Sequence, residues 1–113
     1  MTESYIKIKK AIEETKQIEF EYHKPGKPNP EGKRIGHPHI IYILTNSDSN
    51  EKRVDIVQIS GEGTNNPSLP KPYLLEYIKN VKVLETTFSK SSEYNSSAPR
   101  YLKKLIDIEE NAN

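Results

Sequence analysis

The sequence of 113 residues contains no cysteine and no tryptophan. Without cysteine the chain has no disulfide framework, no thiol nucleophile and no cysteine-based zinc site. No apolar run approaches the roughly 18 residues that a transmembrane helix requires. Lys-rich sequence follows the first residues, where a signal peptide would have its apolar region. We therefore expect a cytoplasmic protein without a membrane segment.

Apolar residues and net charge are also scarce. Hydrophobic residues make up 33% of the chain, below the usual share of about 45–50%, which also counts glycine. A single domain of this length can therefore build one modest core. The net charge of +1 weighs against a strongly basic nucleic-acid-binding surface. Cations nevertheless cluster locally, because residues 24–34 hold four of them against Glu31 alone.

The hydrophobic periodicity predicts one helix followed by five strands. Tyr5, Ile8 and Ala11 begin a series at helical spacing, which indicates an amphipathic N-terminal helix. Apolar residues then recur at strand spacing in five short stretches, separated by loops rich in Pro, Gly, Asn and Ser. These stretches are 18–23, 34–44, 53–60, 73–77 and 81–88. Five short strands with little apolar material predict a mainly β fold, in which a small, strongly bent sheet closes on itself.

The last apolar segment has helical spacing again. Its residues are Tyr101, Leu102, Leu105, Ile106 and Ile108. Pro99 precedes them, as is common at the start of a helix. We therefore expect a short C-terminal helix. The chain then divides into residues 1–88, with the N-terminal helix and the barrel, and residues 89–113, with a polar tether and the C-terminal helix.

Four segments follow one another in an order and spacing typical of one family. The first is the helix and strand "IKKAIEETKQIEFEY", and the second is an R-x-x-x-P step formed by Arg34 and Pro38. The third, "VDIVQISGEG", is an apolar strand that ends in Gln, a small residue and Gly. The fourth is "PYLLEYIKNVKVLETTF". From about Ile8 to Phe88 the chain resembles the WYL-type domain, and within it the small stand-alone WYL-like bacterial proteins.

The resemblance implies a small five-stranded barrel of the Sm/SH3-like kind, preceded by the N-terminal helix. WYL domains usually act as regulatory ligand sensors attached to winged-helix DNA-binding domains, nucleases or helicases. Their ligands resemble nucleotides or nucleic acids, held by Arg and aromatic side chains in a groove of the barrel. The Trp-Tyr-Leu letters that name the family are absent here, and the segment Val54-Asp55-Ile56 lies nearest to their position.

Six residues are candidates for holding a ligand: Arg34, Lys33, Arg53, Gln58, Tyr42 and Tyr73. Arg34 fills the Arg position that the resemblance implies, and its planar guanidinium suits a phosphate or a carboxylate. The other two cations lie at strand starts, Gln58 is polar on an otherwise apolar strand, and the tyrosines would offer aromatic faces to bases. Each also has an ordinary structural interpretation, as a solvated cation, a bond to a neighbouring loop or a core tyrosine.

The three histidines would form a metal site only if the fold brought them together. His37 and His39 share a face if they lie on a regular strand, and a zinc site would need His23 beside them. The chain also has no nucleophile elbow, phosphate-binding glycine loop or zinc-protease motif. We therefore expect no metal, no cofactor and no enzyme activity. Gly61 is assigned to a turn that needs a positive φ angle.

Three functions remain open at this point. The first is a non-enzymatic, WYL-like ligand-binding and regulatory module that senses a nucleotide or a short single-stranded nucleic acid and acts through a regulatory protein partner. The second is a protein-interaction or oligomerisation module, such as a homodimer, that has no small ligand. A metal-dependent hydrolase that uses the histidines is a third alternative.

Overall fold

The N-terminal helix α1 spans Glu3–Glu14 in the computed structural model, which describes residues 2–26, 32–43, 51–61, 68–101 and 103–109. Thr2 caps the helix, because its Oγ1 accepts a hydrogen bond from the Tyr5 backbone N–H at 3.2 Å. The buried helical residues are Ile8, Ala11 and Ile12. The helix ends at Thr15, which takes the left-handed conformation with a φ of 51°. Among the described residues there is no helix with the length and apolar character needed to cross a bilayer.

Within the described residues, six antiparallel strands form one sheet. They are β1 (Lys16–Tyr22), β2 (Arg34–Ile43), β3 (Lys52–Ser60), β4 (Lys71–Leu74), β5 (Ile78–Thr87) and β6 (Lys103–Asp107). Five of them follow the order β4-β3-β2-β1-β5, and β6 pairs with β2. Because β3 pairs along nearly the whole of β2, β6 lies on the same side of β2 as β1. A mainly β fold with one N-terminal helix is therefore confirmed.

The sheet does not close into the expected barrel. Its edge strands β4 and β5 follow one another through a 3₁₀ turn, Leu75–Tyr77, but no ladder joins them in the described part of the chain. Tyr22 bridges the opening instead, because its hydroxyl accepts a hydrogen bond from the Leu74 backbone N–H at 3.1 Å. Just beyond it, the His23 backbone N–H donates to the Tyr77 carbonyl at 2.8 Å. The sheet is thus bent enough for β1 to contact the connection between β4 and β5.

The expected C-terminal helix is wrong, because Lys103–Asp107 form the strand β6 and only Pro99–Tyr101 make a 3₁₀ turn. β1 pairs with β2 only from Arg34 to Gly36. On the side of β2 that faces β1, the backbone N–H and C=O groups of Ile40–Ile43 therefore need hydrogen bonds from another strand. β6 supplies them, and this tertiary pairing overrides the helical spacing of its apolar residues. The described part of the chain consequently has six strands where the sequence predicts five.

A β-bulge in β2 decides which side chains share a face of the sheet. Pro38 pairs with Ile56 and Ile40 pairs with Asp55, so His39 is an extra residue between the two pairs. Beyond the bulge the alternation of β2 is shifted by one residue. The bulge therefore determines which residues of β2 can meet at a site.

Residues directly opposite each other on neighbouring strands share a face, so the register defines two faces. The first face carries Phe20, Arg34, Gln58 and Tyr73. The second face carries Tyr42, Arg53, Asp55, Lys104 and Asp107. The helix and both faces contribute to one apolar cluster.

The segment that leads into β6 packs on the second face. The ring of Tyr101 lies 4.9 Å from the ring of Tyr42, and the ring of Tyr94 lies 5.2 Å from that of His39. Tyr94 and Tyr101 are both buried. Polar groups of the second face are therefore covered by aromatic side chains from late in the chain.

Candidate functional site

Arg34 lies in a polar and aromatic cluster on the first face. Its Nη1 donates a hydrogen bond to the side-chain oxygen of Gln58 at 3.2 Å, and the Tyr73 hydroxyl donates to the same oxygen at 2.5 Å. The Arg34 Cζ lies 5.7 Å from the ring centre of Tyr22 and 5.9 Å from that of Tyr73. At these distances a cation is attracted to an aromatic face. We call these four residues the Arg34 cluster.

Burial fixes the geometry of the Arg34 cluster. Arg34 retains only 8% of its exposure, and Gln58 and Tyr73 are buried as well. Burial raises the pKa of the Tyr73 hydroxyl, although the neighbouring Arg34 opposes that change. The hydroxyl therefore keeps the proton that it donates to Gln58. The guanidinium is held in one orientation before any ligand arrives.

Gly61 allows the backbone to approach Arg34 closely. Its φ of 103° confirms the positive angle that the sequence predicts for this turn. A Cβ atom at this position would lie 2.9 Å from both the Arg34 Cα and the Lys33 carbonyl oxygen. Glycine is therefore required here for both its conformation and its small size.

Lys33 does not join the Arg34 cluster. Its side chain is 69% exposed, and its Nζ lies 3.5 Å from the Glu19 carboxylate. An exposed ion pair of this kind contributes little to stability. Lys33 thus remains a solvated cation beside the site.

Tyr42 belongs to a different network, which is centred on Asp55 of the second face. The carboxylate of Asp55 is fully buried and accepts hydrogen bonds from the hydroxyls of Tyr42, at 2.9 Å, and Tyr101. Nη2 of Arg100 also donates to it, at 3.1 Å. Burial, and after it the charge and hydrogen bond of Asp55, raise the pKa of Tyr42 and of Tyr101, so both hydroxyls remain donors. We call these four residues the Asp55 network.

Arg53 is directly opposite Tyr42 and therefore lies on the second face. Its Nε is buried and has no hydrogen-bond partner among the described residues. The sheet itself separates Arg53 and Tyr42 from Arg34, Gln58 and Tyr73. The six sequence-predicted residues consequently do not form one site: three lie together on the first face, two lie on the second, and Lys33 is at the surface.

Two of the histidines make structural contacts at the bulge. His37 accepts a hydrogen bond from the Gln17 amide at 3.0 Å, and its ring stacks on that of Phe88 at 4.5 Å. The Nδ1–H of His39 donates to the His37 carbonyl at 2.8 Å, and its Nε2 accepts from the Ser91 backbone N–H at 3.0 Å. His39 is therefore neutral in this arrangement. Burial lowers the pKa of both imidazoles.

His23 lies apart from the other two histidines. Its Nε2 is 2.9 Å from a carboxylate oxygen of Glu21 at the exposed end of β1. No group of three potential metal ligands occurs within the described ranges. The geometry thus gives the hydrolase alternative no support from these residues.

One cleft of about 310 Å³ opens away from both clusters. It lies between the start of α1, the start of β3 and the turn between β4 and β5. Its walls include Leu74, Ile78, Lys52 and Lys79. None of the six sequence-predicted residues lines it, although Leu74 follows Tyr73 directly.

Sequence reasoning left four residues of the two clusters out of the candidate set: Tyr22, Asp55, Arg100 and Tyr101. Tyr22 carries a usable signal, because it shares the strand parity of the core residue Phe20. Arg100 carries none, because its place beside Asp55 depends on a 3₁₀ turn that periodicity does not indicate. Asp55 is surrounded by apolar strand residues, so its hydrogen-bond partners become visible only in three dimensions.

No family model matches the chain, and no curated protein sequence matches it. Among solved structures, the chain is similar to proteasome accessory factor B/C (PafBC) of Arthrobacter aurescens, with a TM-score of 0.61 and 13% sequence identity. The match covers 82% of this chain and 13% of the PafBC chain. At this identity the similarity is one of fold. The chain thus corresponds in fold to a small part of a much longer protein.

Proposed function

We propose that the chain is a cytoplasmic, non-enzymatic, WYL-like regulatory module whose Arg34 cluster binds a nucleotide or a short single-stranded nucleic acid. The observation that carries this proposal is the position of the Arg34 guanidinium, which lies 5.7 and 5.9 Å from two tyrosine ring centres and is hydrogen-bonded to Gln58. A regulatory protein partner would receive the signal, by contact with the surface that the ligand changes.

The Arg34 cluster has the two components that such a ligand needs. A guanidinium offers charge-assisted hydrogen bonds to phosphate oxygens, and one that is already ordered loses little conformational entropy on binding. Tyr22 and Tyr77 are only half-buried, with ring centres 6.2 Å apart, and extend the cluster towards the surface. Exposed aromatic faces of this kind stack on bases of any sequence.

The regulatory part of the proposal rests on the resemblance in sequence. The segments around Arg34, Gln58 and Tyr73 resemble the WYL-type domain, whose members usually act as regulatory sensors. This resemblance favours a sensing module over a catalytic one, and the fold is independently similar to that of part of PafBC. The proposal that the ligand is a nucleotide or a single-stranded nucleic acid rests on the chemistry of the Arg34 cluster alone.

A thermal-shift panel of mononucleotides, dinucleotides and oligo-deoxythymidine at low salt tests the proposal. A ligand at about 100 times its Kd should stabilise the folded state by about 2.7 kcal/mol, which in a domain of this size raises the Tm by several degrees. Arg34→Lys should reduce the shift strongly, because lysine keeps the charge and loses the planar fork. Lys82→Gln, an exposed cation opposite Glu19 on β5, is the matched control and should keep the full shift. A panel that leaves the wild-type Tm unchanged would reject the proposal.

A protein-interaction module remains the second candidate, and one observation favours it. Strand β6 pairs only with β2 among the described strands, and Leu105 on it is 39% exposed. Free strand edges are common sites for addition of a strand from another chain. Light scattering over a range of concentrations tests this alternative, because Leu105→Lys should abolish any self-association. A strict monomer at high concentration argues against the homodimer.

A further inference from the structure

Arg100 lies at the surface end of the Asp55 network. Its side chain is 48% exposed, whereas that of Asp55 is fully buried. Its Nη2 donates to the Asp55 carboxylate at 3.1 Å and to the Tyr101 hydroxyl oxygen at 2.7 Å. Its Cζ lies 4.6 Å from the ring centre of Tyr101. The guanidinium is therefore fixed by hydrogen bonds on one nitrogen and by an aromatic ring on one face.

The remaining donors of Arg100 have no acceptor in the described part of the chain. Both of its hydrogen bonds there use Nη2. Nε–H and the Nη1 amino group are thus left to solvent on a guanidinium whose orientation is already set. An ordered arginine with unused N–H groups is well suited to an oxyanion, because its charge and donors are in place before binding.

Arg53 lies on β3 beside another tyrosine of the Asp55 network, Tyr42. It is directly opposite Tyr42 and lies two residues before Asp55 on the same face. Its Nε is buried without a hydrogen-bond partner among the described residues. A buried donor without an acceptor is costly in free energy, so a ligand oxygen that reaches it would stabilise the folded chain.

The charges of the second face leave one cation uncompensated. Arg100 pairs with Asp55 and Lys104 pairs with Asp107. Arg53 forms no ion pair with any residue that the structure describes. The second face therefore attracts an anion, although the net charge of the whole chain is only +1.

We propose that Arg53 and Arg100 form an oxyanion site on the second face that takes a phosphate group, with Tyr101 positioning the Arg100 guanidinium. Phosphate suits the site better than carboxylate because its oxygens point in three or more directions and can accept from two side chains that lie on different elements. The site does not rest on the function proposed for the Arg34 cluster, since the sheet lies between them.

The composition makes a direct test available, because the chain contains three arginines only, Arg34, Arg53 and Arg100. Their Nε–H groups give three side-chain signals in the NMR spectrum of the isotope-labelled full chain. Titration with inorganic pyrophosphate should shift the Arg53 and Arg100 signals in a saturable manner and leave the Arg34 signal in place. AMP and succinate, titrated separately, show whether a nucleotide phosphate binds equally well and whether a carboxylate is excluded.

Matched variants separate binding from stability. Arg100→Lys should weaken pyrophosphate binding about tenfold or more, because it loses charge-assisted hydrogen bonds, and Tyr101→Phe should weaken it less. Lys103→Gln removes a nearby cation opposite Ile43, on the other face, and should leave binding unchanged. Pyrophosphate that shifts neither Arg53 nor Arg100, or shifts all three arginines alike, overturns the proposal, as does succinate that binds as tightly. The Arg34 signal reports separately on the Arg34 cluster, so failure of either site is distinguishable.

Discussion

The Tyr101 hydroxyl donates a hydrogen bond to the carboxylate of Asp55, which lies 46 positions earlier in the chain. This bond ties the 3₁₀ turn before β6 to the middle of β3. Because Arg100 and Tyr42 donate to the same carboxylate, the buried charge is compensated by three groups from two separate elements, the 3₁₀ turn and β2. The Asp55 network therefore holds the C-terminal segment on the second face, and its members determine both stability and the exposure of Arg100.

Removing the carboxylate should destabilise the fold strongly. Asp55→Ala leaves two buried hydroxyls and a guanidinium without their acceptor, at an expected cost of about 3–5 kcal/mol in the free energy of unfolding. Tyr101→Phe removes one donor and should cost only about 1 kcal/mol. Urea unfolding measures both. Equal, small losses in the two variants would contradict the central place given to Asp55.

Two glycines that lie close in sequence to Arg34 and Gln58, Gly32 and Gly61, should respond differently to alanine. Gly61→Ala must adopt a φ of 103° and place its Cβ 2.9 Å from the Arg34 Cα, so we expect a loss of at least about 1–2 kcal/mol. Gly32→Ala has nothing within 4 Å of its Cβ and should be neutral. Thermal unfolding compares the pair, and similar Tm values would argue against the close approach at Gly61.

The free energy of unfolding should fall at acid pH, because His39 becomes protonated. Burial lowers the pKa of His39 in the folded state, and the nearby charge of Lys90 lowers it further. The carboxylates of Asp55 and Asp107 act in the opposite direction, but the effect of burial is larger. A base that is harder to protonate when folded stabilises the fold above its unfolded pKa of about 6.5. That contribution is lost as pH falls through the lowered value, with a slope of up to about 1.4 kcal/mol per pH unit. Protonation also removes the Nε2 acceptor of the Ser91 N–H.

The matched variants for this pH dependence are His39→Leu and His23→Ala. Urea midpoints between neutral and acid pH should fall less steeply in His39→Leu than in the wild type. A residual slope should remain, because burial lowers the pKa of His37 too. His23 is exposed beside Glu21, so His23→Ala should keep most of the wild-type slope. If the urea midpoints of the wild type and of His39→Leu depend on pH with the same slope, His39 is not the cause of the loss of stability at acid pH.

Tyr22 should protect one backbone amide in particular. Tyr22→Phe removes the acceptor of the Leu74 N–H, at an expected cost of about 1 kcal/mol, and should speed hydrogen exchange at that amide. Tyr77→Phe is the control, because the Tyr77 hydroxyl bonds to no described residue. If hydrogen exchange at the Leu74 amide is unchanged in Tyr22→Phe, the Tyr22 hydroxyl is not the group that protects this amide.

Much of the fold can be predicted from local pattern, and the exceptions have a physical reason. The helix through Ile8 and Ile12 and the alternation of Ile18 and Phe20 are local signals that the structure bears out. The strand β6 could not be predicted, because its state depends on the unpaired half of β2 rather than on its own spacing. The bulge at His39 is equally invisible in the sequence, since a histidine fits a regular strand as well.

The candidate site was predictable only in part, because the bulge and the tertiary contacts that build it are not visible in the sequence. Arg34, Gln58 and Tyr73 lie together on the first face. Tyr42 faces the opposite way, because the bulge shifts the alternation of β2 between Arg34 and Tyr42. Periodicity assigns residues to a strand, but one extra residue changes the face. Residues that lie far apart in the chain, such as Arg100, enter a site through tertiary contacts alone.

The affinity of the chain for fluorescently labelled oligo-deoxythymidine and for AMP, measured at low salt with wild type and Arg34→Lys, tests the central claim most directly. We expect at least one of the two probes to bind the wild type. Arg34→Lys should bind that probe about tenfold more weakly, with far-ultraviolet circular dichroism showing that the variant is folded. Binding of neither probe, or equal affinity of both proteins for the probe that binds, would contradict a ligand held by Arg34.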